Sequence, residues 1–121
     1  MNRTEAFVRL LAEKFPPLQP YLAEHLEANF GEVLPHVFLV DVTDWITSLA
    51  TEVRSDPNSQ RQLTDVLDYL EKTFSAGDED LEELLCASFL ESLPERDKPG
   101  GEVREMLGRT LRAKLRAIEH L

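Results

Sequence analysis

Apolar residues along this chain recur at intervals of three and four, and they do so in six separate stretches. That spacing puts side chains on one face of a helix, whereas a half-buried strand needs strict alternation. Strict alternation is almost absent. The six spans together far exceed the roughly one-third helix of an average domain. The pattern predicts an all-α fold, a single domain over residues 1–121. Short connections imply about six helices packed as antiparallel hairpins, in a bundle or a short hairpin stack. A chain of 121 residues suits one domain and buries roughly two-thirds of its unfolded surface without metal or disulfide staples.

The first span runs from Thr4 to Phe15, with Phe7, Leu10, Leu11 and Phe15 as its stripe, Asn2 and Glu5 as a capping box, and Pro16 and Pro17 as its end. The second runs from Leu18 to Phe30 on Leu18, Leu22, Leu26 and Phe30, with Gly31 as C-cap. Residues 32–40 read as a buried linker with room for a single helical turn: Pro35 is compatible with opening a helix or with interrupting one, and Val37–Val40 is β-branched and aromatic, which suits a short extended piece. The third helix is expected from Val42 to Arg54, N-capped by Asp41. The fourth is expected from Gln60 to Ser75, with Ser59 and Gln62 as a capping box. The fifth, from Glu79 to Leu93 behind the N-cap Asp78, is apolar around most of its circumference and is expected to be the most buried. Glu95 to Gly101 reads as a flexible surface loop, and a sixth helix follows from Glu102 to His120.

The 23 acidic residues outnumber the 13 basic ones, for a net charge of −10. The charge is uneven: −5 over residues 1–53, −7 over 54–101 and +2 over 102–121. Free nucleic acid is disfavoured as a partner, because phosphate binding needs a basic face. The densest acidic patch is Asp78, Glu79, Asp80, Glu82 and Glu83. Acidic groups in a first turn suit the helix dipole, but five like charges in six positions repel one another, so a docking surface for a basic partner is the functional reading. Asp65 and Asp68, one helix earlier, are its expected neighbours. Arg104, Arg109, Arg112, Lys114 and Arg116 of the last helix read as a solvated face that partly neutralises the acidic body.

Residues with the makings of chemistry are few. No apolar run approaches the ~20 residues of a membrane span or forms a signal-peptide core, so the chain reads as cytoplasmic. The lone Cys86 reads as a small buried hydrophobe. Ser88 has no nucleophile-elbow context and is expected to bond back to its own helix. The Gly100-Gly101 pair lacks the partners of a phosphate loop. His25, His36 and His120 have no second ligand at metal spacing, although His36, Asp41 and Asp44 lie close enough in sequence to suggest a divalent-ion site. Glu91, set in an apolar stretch, is expected to be partly buried and paired with a base of the last helix. No cofactor is implied.

Leu34-Pro35-His36-Val37-Phe38 leading to Asp41-Val42-Thr43-Asp44-Trp45, and Ser88-Phe89-Leu90-Glu91-Ser92-Leu93, resemble segments of small bacterial all-α proteins of unknown function. Some of that group look like immunity proteins encoded beside secreted toxins. The resemblance brings no catalytic residues with it. Together with the charge, it implies a non-catalytic module that binds a basic protein partner through the acidic face. A helical adaptor or homo-oligomeric module is the first alternative, with the broad apolar surface of the fifth helix as its interface. A metal-dependent enzyme using His36, Asp41 and Asp44 is the second.

Overall fold

The computed structural model describes residues 2–120 and, among them, contains helices and turns but no strand. In chain order come α1 (Arg3–Lys14), a 3-10 turn at Pro16–Leu18, α2 (Gln19–Ala28), α3 (Pro35–Glu52) and α4 (Pro57–Ser75). Then follow α5 (Glu79–Ser88), a second 3-10 turn at Leu90–Ser92, α6 (Val103–Met106) and α7 (Arg109–Glu119). The all-α expectation holds, and none of these helices is long and apolar enough to cross a membrane.

The largest departure from expectation is α3. Pro35 does not interrupt a helix but opens one, at the first position, where a missing N–H costs nothing. The expected linker is therefore the first turns of an 18-residue helix. Asp41 lies inside it and caps nothing. Phe38, Leu39, Val42, Thr43, Trp45, Ile46, Leu49 and Ala50 are buried, which makes α3 the central element, in place of α5. It packs against α1, α2, α4, α5 and α6. Each fully buried Phe or Leu contributes about 1.5–3 kcal/mol, so this one face accounts for much of the core.

The other helices adjust around it. On α1, Val8 and Ala12 join Phe7, Leu11 and Phe15 inside, while Leu10 is exposed. On α2 the expected stripe fails at its end, because Phe30 stands fully in solvent. The buried side chain of α2 is His25, whose Nε2 accepts the Leu34 N–H at 3.0 Å and so fixes the turn into α3. Asp56, not Ser59, caps α4. Its carboxylate accepts the Asn58 N–H at 2.9 Å and Pro57 fills the first position, which puts Ser59 inside the first turn. Residues 95–99 lie on the surface as expected, and only Gly100 and Gly101 at the end of the segment are buried. Gly100, with φ +85°, is buried so close to Thr47 that a Cβ would meet its side chain at 2.8 Å.

The expected sixth helix is two. It breaks at Leu107 and Gly108, both extended. The break is organised by Glu71 of α4. Its carboxylate accepts the N–H groups of Thr110 and Leu111, both at 2.9 Å, and the Thr110 hydroxyl. These are free donors of the first turn of α7, so Glu71 caps that helix from 39 residues away. Gly108 makes room for it, since a Cβ there would stand 2.6 Å from the Glu71 side chain. Burial works against the charge of Glu71, but the bonds from Thr110, Leu111 and Ser75 outweigh it and hold the carboxyl below its usual range.

Candidate functional site

Helix α5 begins where the sequence predicts, with the Asp78 carboxylate accepting the Leu81 N–H at 3.1 Å. Leu84, Leu85 and Ser88 turn inward. Glu79, Glu82, Glu83 and Cys86 follow the spacing i, i+3, i+4, i+7 and so share the opposite face. That face forms one wall of a groove of about 600 Å³. Phe74 at the end of α4 and Ala87 supply apolar surface, Lys114 reaches in from α7, and Glu91 comes from the second 3-10 turn. Four carboxylates thus face one ammonium. Among the described residues, none of the four glutamates is in an ion pair within 4.0 Å.

The remaining expected site residues do not join them. Asp78 is committed to the helix cap and to an ion pair with Arg3, whose guanidinium holds the carboxyl below its usual range. Asp80 is exposed and adds to the field on Arg3. Asp65 and Asp68 line a different cleft, of about 730 Å³, with Lys14, Phe15, Tyr69, Lys72 and Thr73. There the Asp68 carboxylate lies 2.9 Å from the Lys72 ammonium, and Lys14 sits 5.4 Å from the centre of the Tyr69 ring. Two ammoniums offset two carboxylates, so that cleft is locally balanced. Of the seven expected residues, the structure brings Glu79, Glu82 and Glu83 together in one groove and places Asp65, Asp68, Asp78 and Asp80 outside it.

Glu91, Lys114, Phe74 and Cys86 belong to the groove and were not expected in it. Glu91 is exposed, not partly buried, because α5 stops at Ser88 and the 3-10 turn swings it outward. Cys86 is half-buried in the wall, and burial pushes its thiol up from the ordinary value.

The residues weighed for chemistry sit elsewhere. Among the described residues no group of three His, Cys, Asp or Glu is placed to hold a metal ion. His36 and Asp41, five residues apart on one helix, point about 140° away from each other. Asp41 instead lies near Glu24 and His25. Burial first, and then the charge of Asp44, raise its carboxyl above the usual range. His36 Nδ1 lies 2.7 Å from the Ser88 Oγ, so Ser88 is tied to α3 and not to its own helix. Ser88 is buried, and a nucleophile must reach its substrate. The pair fastens the start of α3 to the end of α5. The Gly100-Gly101 pair is likewise buried, against Thr47 and Glu95.

Comparison with curated proteins and with solved structures gave no match. Residues 8–120 match a family described as Domain of unknown function (DUF7674). That match spans nearly the whole helical core, from Val8 on α1 to the end of α7, and the chain belongs to this uncharacterised family.

Proposed function

We propose that the protein is a non-catalytic binding module whose α5 groove receives a basic segment of a partner protein, in the manner of an immunity protein that neutralises a basic toxin. The observation that carries this reading is the groove itself. Four glutamates that have no ion pair among the described residues stand over the apolar surface of Phe74 and Ala87. Like charges left together without compensation raise the free energy of the isolated chain, and a cationic partner relieves that repulsion. The apolar surface adds affinity once the charges have steered the encounter.

The test is a pull-down with the immobilised chain, beside a Glu79→Lys/Glu82→Lys/Glu83→Lys variant shown by circular dichroism to be folded. A partner held by the parent and lost by the variant, with an on-rate that falls steeply as salt rises, is the expected result. Equal capture by both chains overturns the reading. The alternative of a helical adaptor or homo-oligomeric module draws support from a different place than the sequence suggested. The apolar side chains of α5 are mostly buried, but Phe30, Val37 and Val40 around the start of α3 are exposed. A concentration-independent monomer in sedimentation would remove that alternative.

A further inference from the structure

The five basic residues of α6 and α7 divide three ways. Arg104 serves the fold: its guanidinium donates to the carbonyls of Pro94 at 2.6 Å and Leu93 at 3.1 Å and pairs with Glu119. Lys114 faces the glutamate groove. Arg109, Arg112 and Arg116 remain. Their i, i+3, i+7 spacing puts them on one face of α7, and with Leu107 and Ala113 they line a hollow of about 430 Å³. Among the described residues none of the three is in an ion pair within 4.0 Å, on a chain with ten more acidic than basic groups.

Arg112 is the informative member. Its Nη2 donates to the backbone carbonyl of Glu105, which pins the guanidinium. The Glu105 carboxylate is turned away, 3.7 Å from Arg96. The Nε of Arg112 is buried and, among the described residues, has no hydrogen-bond partner. The Arg112 guanidinium is thus held by one backbone carbonyl and, among the described residues, has no carboxylate within 4.0 Å to neutralise its charge.

We propose that this hollow binds a compact oxyanion of the phosphate class, either inorganic phosphate or the phosphoryl group of a small phosphorylated molecule. Guanidinium forks match tetrahedral oxyanions, and three on one face surround such a group. The acidic body around the hollow selects for compactness. An extended polyanion binds by covering many phosphates with cations, and here it would run onto the acidic surface as soon as it left the three arginines.

Calorimetric titration of the full chain with inorganic phosphate and with glycerol phosphate tests this, with chloride at matched ionic strength as the reference. The expected result is saturable one-to-one binding of at least one phosphate probe and affinity weakened about tenfold or more by Arg116→Gln. Arg109 and Arg116 are exposed, so their variants retain the fold. Tighter binding of the monoester assigns the site to a phosphorylated small molecule, and equal binding assigns it to free phosphate. The proposal is overturned by phosphate binding no stronger than chloride, by undiminished binding in the Arg109→Gln/Arg116→Gln variant, or by binding of duplex DNA alone.

Discussion

Two sets of carboxylates on this chain have opposite fates. At the junction of α4 and α7, Glu71 accepts two backbone N–H groups and the hydroxyls of Thr110 and Ser75, and its charge is part of the fold. In the α5 groove, Glu79, Glu82, Glu83 and Glu91 accept no ion pair among the described residues, and the only aid to the fold is the small one that Glu79 and Glu82 give the helix dipole in the first turn of α5. A carboxylate whose acceptor capacity is filled internally has none left for a partner. The comparison therefore separates structural charge from available charge, which net charge alone cannot do. The same division runs through the bases of α6 and α7, where Arg104 is consumed and Arg109, Arg112 and Arg116 are left over.

If this division is right, the largest effect belongs to Glu71→Ala. It orphans the Thr110 and Leu111 N–H groups at once and should cost about 2 kcal/mol in urea unfolding. A loss comparable with that of a groove glutamate would erase the distinction.

Next in size is the acid limb. The carboxyl of Glu71 lies lower in the folded chain than in the unfolded one. Its stabilisation is thus complete above the unfolded value of about 4.3 and disappears as pH falls through the lower folded value. The stability gap between the parent and Glu71→Gln should therefore narrow below about pH 4. A gap constant from pH 7 to pH 3 would show that shape, not charge, is what Glu71 contributes.

A smaller effect of opposite sign is expected at Asp41. Burial and Asp44 raise its carboxyl, so ionisation opposes folding above the unfolded value. Asp41→Asn should stabilise the chain at pH 7 by less than about 1 kcal/mol and give no gain below about pH 4. Smallest of all is Glu82→Gln/Glu83→Gln, with a stability change within about 0.5 kcal/mol and a flatter salt dependence of partner association.

The helices were legible where local chemistry suffices. The start of α5 at Asp78, the buried stripe Leu63, Val66, Leu67, Leu70 and Phe74 of α4, and the all-α class follow from capping residues and apolar spacing. Pro35 shows where such reading stops. Proline is equally at home as an interruption or as a first residue, and only the demand of the core for Phe38, Leu39 and Val42 decides between them. Glu91 shows the same limit, since one turn of misjudged helix length carries a side chain from core to solvent.

Of the candidate site, Glu79, Glu82 and Glu83 could be read from the chain because their spacing on one helix is local. Asp78 was indistinguishable from them in sequence, because Arg3, which pairs with it, is brought from 75 residues away; Asp68 pairs locally with Lys72, four residues on along α4, and Asp65 lines the same cleft as Lys14 and Lys72. Glu71 carried no signal at all, its partners lying 39 and 40 residues further on. The chain by itself thus determined the all-α class, most of the apolar helix faces and how much charge is present. Beyond local pairs such as Asp68 with Lys72, only the tertiary structure decided which charges are neutralised, because the pairing of Arg3 with Asp78 and the capping by Glu71 depend on distances of a few ångströms between residues far apart in the chain.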